Sequence, residues 1–158
     1  MRYLIGIGTY TGFDDSIGLR VAEAVAEGSL ERGFRVVELG GDLIDLIHYL
    51  GADTESVLIV DSARMGLSPG EYAFFTPEQV ESRKAVAGFS THEGDLLGVL
   101  GLAAGLGQPV PEVTIMGIEP DVVRPGTSLS ETLEKRFPEY VEVAVSFFED
   151  APGEINSS

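Results

Sequence analysis

Apolar residues in this chain fall into short blocks that alternate between two periods. Tyr3, Leu4, Ile5 and Ile7 form a compact run that reads as a buried strand, and a turn with Gly6, Gly8 and Gly12 goes with it. From Ile17 the period lengthens, so that Ile17, Val21, Ala24 and Val25 share one face of a helix. Phe34 to Leu39 reads as a second strand, broken by Gly40-Gly41. Leu43, Ile44, Leu46, Ile47 and Leu50 carry helical spacing, which Gly51 ends. Ser56 to Val60 is a continuous apolar run, as expected of a strand covered on both faces, and the pattern stops it at Asp61.

The second half is more punctuated. Arg64 to Gly70 reads as loop, Glu71 to Phe75 as a short strand at an edge or in a hairpin, and Thr76 to Ala87 as irregular with a helical turn after Pro77. Ser90-Thr91-His92-Glu93 matches a capping box, with Ser90 as N-cap of a Leu-, Ala- and Gly-rich helix running to about Gly107. Pro109 and Pro111 force a linker, Val113 to Met116 is another buried strand, and Asp121 to Gly126 is loop. Ser130 starts a last helix to about Phe148, which Pro138 is expected to kink or interrupt. The order predicts a single α/β domain over residues 1–150: a three-layer αβα arrangement with a mostly parallel twisted sheet of about five strands flanked by helices. Residues 151–158 are small and polar and are expected to form a disordered tail.

Composition narrows the class. There is no cysteine, which removes disulfides, thiolate metal sites and cysteine nucleophiles together. The net charge of −16 opposes binding to nucleic acid or anionic membranes. It serves solubility, and attraction of a basic partner or a cation stays open beside that. The apolar runs are too short and glycine-broken to cross a bilayer, and the first residues carry no basic segment leading into a long apolar one. The expectation is a cytoplasmic monomer or small homo-oligomer.

Candidate chemistry gathers at the ends of strands. Gly6-x-Gly8 after a strand, with Glu38 ending the next, invites a dinucleotide reading, but Thr11 stands where the third glycine belongs. Asp14 and Asp15 also put negative charge where a pyrophosphate would sit. One of these acids is explained as a helix cap; the second is explained less well. Asp61 follows the most apolar strand, where α/β sheets bind ligands. His48 falls within an apolar helical pattern and reads as structural or surface. His92 falls in the first turn of a helix, where the dipole favours the neutral imidazole that a metal ligand requires; a solvent-exposed first-turn histidine is the alternative. Two carboxylates and one imidazole, Asp15, Asp61 and His92, would suit a borderline divalent cation such as zinc or nickel if they converge at one sheet edge.

The segments GIGTYTGFDDSIGLRVAEAV, VLIVDSA, FSTHEGDLLGVL and MGIEP occur here in that order. In this the chain resembles the hydrogenase maturation endopeptidases, which trim the C-terminus of the nickel-iron hydrogenase large subunit. The resemblance implies that Asp15, Asp61 and His92 form the catalytic, metal-binding trio. It implies nickel, presented by the large-subunit precursor, as the metal, with another divalent cation able to substitute, and that precursor as the partner. It also implies that the loop of Gly40, Gly41 and Asp42 recognises substrate. Here that loop reads Leu-Gly-Gly-Asp, whereas the family tends to Asp-Gly-Gly-Thr, and Thr9 stands where asparagine is usual. Asp14 and Glu93 are candidates for general base or for plain helix caps. A non-catalytic metal- or partner-binding module on the same fold is the alternative function, with nucleotide binding behind it.

Overall fold

A computed structural model describes residues 1–40, 43–79, 90–91, 94–106 and 111–149. Strands β1 (Arg2–Ile7), β2 (Arg35–Gly40), β3 (Ser56–Arg64), β4 (Tyr72–Phe75), β5 (Ser90–Thr91) and β6 (Glu112–Ile118) alternate with helices α1 (Ile17–Glu27), α2 (Gly94–Gly105) and α3 (Glu131–Glu149). The sheet order is β2-β1-β3-β6-β4; β5 pairs with β3 outside that path. The strands β2, β1, β3 and β6 are parallel, and β4 closes the sheet antiparallel to β6. The architecture is thus an α/β fold on a mostly parallel, five-strand mixed sheet with flanking helices.

Alternation along the strands builds a core on each face. On one face Leu4, Leu58, Val60, Met116 and Ile118 pack with Ile17, Val21 and Val25 of α1 and Leu133, Tyr140, Ala144 and Phe148 of α3. On the other, Ile5, Ile7, Val57, Ile59 and Ile115 pack with Leu43, Leu46, Leu50 and Val99, Leu100 and Ala103 of α2. Each Val, Leu, Ile, Met or Phe among them contributes about 1.5–3 kcal/mol when taken from water. Burial on both faces is why β3 reads as unbroken apolar sequence. α1 lies close on β1 and β3 because two glycines leave room. A Cβ on Gly18 would stand 2.1 Å from the Val60 carbonyl oxygen, and one on Gly6 would stand 2.2 Å from that of Gly18.

Four expectations change. β3 does not stop at Asp61 but runs to Arg64: Asp61 and Ser62 pair with Gly117 and Ile118, and Ala63 and Arg64 with Thr91 and Ser90. Partner strands extend the ladder beyond the apolar block that sequence detects. Ser90 is therefore not an N-cap; its backbone belongs to β5, and α2 begins at Gly94. The segment Leu43–Tyr49 is a 3-10 helix, which suits Leu43 and Leu46 meeting the core at a spacing of three. α3 runs unbroken through Pro138, with Leu133, Tyr140, Ala144 and Phe148 burying one face on both sides of it. That burial offsets the roughly 3 kcal/mol an interior proline costs. The tail 151–158 lies outside the described residues.

Candidate active site at the carboxyl edge of the sheet

β1 is followed by β2 on one side of the sheet and β3 lies on the other, so the chain order reverses between β1 and β3. Crevices at such reversal points, outside the carboxyl ends of the strands, are where α/β sheets bind ligands. The turn after β1 and the end of β3 flank this crevice.

The turn is closed upon protein groups. The amides of Thr9, Gly12, Phe13, Asp14 and Asp15 donate to the carbonyls of Asp15, Thr9, Gly126, Val122 and Gly12. An amide cradle for phosphate is absent among these groups. Gly8 has φ +152° and its missing Cβ would sit 2.2 Å from the Asp15 carbonyl oxygen, so glycine is required here by turn closure. Glu38, the candidate ribose acid, accepts a 2.9 Å hydrogen bond from the Tyr10 hydroxyl. Burial first, then that bond and the Glu38 charge, push the Tyr10 phenol up to about 12.

Asp14 and Asp15 separate completely in role. Asp14 is fully buried and receives three backbone amides: Asp121 at 2.8 Å and Val122 at 2.7 Å on Oδ2, and Ser130 at 2.8 Å on Oδ1. It ties the loop leading into α3 to the turn leading into α1. With both oxygens engaged by backbone amides, Asp14 braces the turn against the loop before α3. The lacing continues around it: Gly126 donates to the Thr11 carbonyl at 2.9 Å, Arg20 donates to the Thr127 carbonyl, and Arg124 lies 4.4 Å over the Phe13 ring.

Asp15 turns toward β3, where its Oδ1 accepts a 2.9 Å hydrogen bond from the Ser62 hydroxyl. Asp61, the neighbour of Ser62, is fully buried although it belongs to the polar end of the strand. The fold therefore brings Asp15 to the residue beside Asp61. His92 and Glu93 lie outside the described residues, as do Gly41 and Asp42. Thr91, which precedes His92, pairs with Ala63, two positions beyond Asp61. Gly40 ends β2 at φ +69°, in register with Ile7 at the end of β1. Among the described residues no group of three His, Cys, Asp or Glu side chains converges on one point. Asp15 and Asp61 would supply two oxygen donors of the three, one fully buried and one hydrogen-bonded by a neutral hydroxyl.

Sequence reasoning did not single out Ser62 or Glu119. Ser62 was visible only as the residue after Asp61. Glu119, 7 % exposed, accepts the Met65 amide at 2.7 Å and the Leu67 amide at 3.2 Å, fixing the loop that leaves β3. An acid followed by proline at the end of an apolar strand was the signal available for it.

Comparison with known proteins shows the family of the chain and agrees with its fold. The family model for HycI, the hydrogenase maturation protease, matches residues 19–147, a span that holds Asp61 and His92 and begins after Asp15. The chain belongs to the hydrogenase maturation protease family. It is 25% identical over 146 residues to the hydrogenase expression/formation protein HoxM of Azotobacter vinelandii, covering 91% of this chain and 70% of that one. Its fold is similar to that of the hydrogenase maturating endopeptidase HybD from E. coli, with a TM-score of 0.80 at 19% identity over 96% of this chain and 93% of that one. It is also similar to the HybD protease of Thermococcus kodakarensis, with a TM-score of 0.74 at 23% identity over 92% and 97% of the two chains. No helix among the described residues is long and apolar enough to cross a membrane.

Proposed function

We propose that this chain is a metal-dependent endopeptidase of the cytoplasm that removes the C-terminal extension of a nickel-iron hydrogenase large-subunit precursor once nickel has been inserted. The observation that supports this reading most is the hydrogen bond from Ser62 to Asp15, which ties the acid of the first family motif to the strand that carries Asp61, at the reversal point of the sheet. Asp15, Asp61 and His92 are the proposed ligands and catalytic residues. The nickel carried by the precursor, or another divalent cation in its place, supplies Lewis acidity toward the scissile carbonyl. The residues of the chain bind and orient. Asp61, on a backbone held in the β3–β6 ladder, would offer a carboxyl oxygen. Asp15 closes on the same crevice from the β1 turn, and that turn is braced from behind by Asp14. The loop of Gly40, Gly41 and Asp42 is proposed to read the precursor, since Gly40 leaves the sheet at the same edge.

Incubation of nickel-loaded precursor with the wild type should give a product shortened at its C-terminus, read by mass spectrometry. Asp61→Asn should leave the precursor at full length while keeping the circular dichroism spectrum of the wild type. Normal cleavage by Asp61→Asn would falsify the trio. A precursor that associates with the wild type in a nickel-dependent way yet keeps its mass would assign the fold to a binding module.

A further inference from the structure

The β3 strand delivers two successive residues to the crevice, on opposite faces of the sheet. By alternation Asp61 shares its face with Ile59 and Ala63, whereas Ser62 shares its face with Val60, on the side covered by α1. Ser62 is 5 % exposed, and its hydroxyl donates to Asp15 Oδ1 at 2.9 Å, across 47 positions of chain. The turn also lies close to the Asp15 side chain. A Cβ on Gly12 would stand 2.9 Å from Asp15 Cβ and 3.6 Å from Oδ2, so glycine at this position is what lets the turn close beside the Asp15 side chain. A short acid on a 3-10 turn, Phe13–Ser16, has two side-chain torsions to fix. The hydroxyl from β3 engages one of its oxygens.

We propose that Ser62 is a positioning residue: through its hydrogen bond it holds the Asp15 carboxylate in the orientation that binds the cation, and it couples that orientation to the strand carrying Asp61. This rests on the reading of Asp15 as a metal ligand. A ligating carboxylate hydrogen-bonded by a neighbouring group is oriented and tuned by it, and loss of such a partner typically weakens metal affinity by about 10–100-fold. Alanine at 62 removes the hydroxyl and little volume. Threonine keeps a hydroxyl and is favoured in a strand.

The test is calorimetric titration of Ni²⁺ alone into five proteins: wild type, Ser62→Ala, Ser62→Thr, Asp15→Asn and the double variant Asp15→Asn/Ser62→Ala. Ser62→Ala should weaken binding by about tenfold. Ser62→Thr should restore affinity to within about threefold of wild type. Adding Ser62→Ala to Asp15→Asn should cost nothing more, because the two side chains act as one unit. Wild-type affinity in Ser62→Ala, or a Ser62→Ala penalty as large in the Asp15→Asn background as alone, overturns the proposal while leaving Asp15 as a ligand. Wild-type affinity in Asp15→Asn removes the ligand reading itself, and the role of Ser62 with it.

Discussion

Replacing Asp14 by Asn tests the separation of the two adjacent acids. Asp14 Oδ2 holds the amides of Asp121 and Val122, and Oδ1 holds that of Ser130, all at 2.7–2.8 Å. Hydrogen bonds to a charged group are worth about 1.5–3 kcal/mol each. Asn keeps one carbonyl oxygen, which serves the first two amides as a neutral and weaker acceptor. Its amide group then faces the Ser130 N–H, donor against donor, in a buried position. One charged bond lost, one buried donor stranded and two bonds weakened sum to about 4 kcal/mol. That is a large share of the roughly 5–15 kcal/mol that holds a domain folded. In urea, where the slope is about 2 kcal/mol per molar, the unfolding midpoint should fall by about 2 M. Asp15→Asn keeps an acceptor for the Ser62 hydroxyl and should shift stability by less than about 1 kcal/mol while abolishing the proposed processing. Equal midpoints for Asp14→Asn and wild type, or a loss in Asp15→Asn as large as in Asp14→Asn, would refute the division of labour between the two acids.

Two further outcomes concern the fold. Gly18→Ala drives a Cβ into the backbone oxygens of Val60 and Ile7, at 2.1 and 2.4 Å, and should cost about 3 kcal/mol. For a chain of this size that lowers the melting temperature by about 6–12 °C, and a scan showing no change would remove the close-approach argument. Burial, against the opposing charge of Arg136, pushes the Tyr140 phenol up to about 12, while its hydroxyl donates to the Gly70 carbonyl at 2.6 Å. The unfolded tyrosine ionises near pH 10, so this contribution is whole below about pH 10 and is lost as pH rises toward about 12. The urea midpoint should fall across that window, and less steeply in Tyr140→Phe; an equal fall in both would count against Tyr140 as its source. Tyr140→Phe itself should cost only about 1 kcal/mol at neutral pH, since Arg136 Nη1 still donates to the Gly70 carbonyl at 2.8 Å.

Period and punctuation alone located β1, α1, β2, the core of β3 and the body of β6. Their apolar spacing reflects burial against one or two layers, and that is a local property of the chain. The three-layer architecture followed, because blocks of period two alternating with blocks of longer period have few compact arrangements. The family resemblance was legible too, in motifs that keep their order. The choice of Asp15 over Asp14 came from that resemblance alone, not from period or spacing. Neighbouring carboxylates look alike in sequence, and their roles are set by what arrives from elsewhere: the Asp121–Ser130 loop for one, the Ser62 hydroxyl for the other. The same reason hid the end of β3 and the start of α2. A ladder between Ala63–Arg64 and Ser90–Thr91 depends on partners distant in the chain, and no window of sequence contains both. The sequence by itself determined the cores of most elements and their order along the chain. The tertiary structure decided which polar side chains meet, because hydrogen bonds between distant residues exist only once packing has fixed both ends.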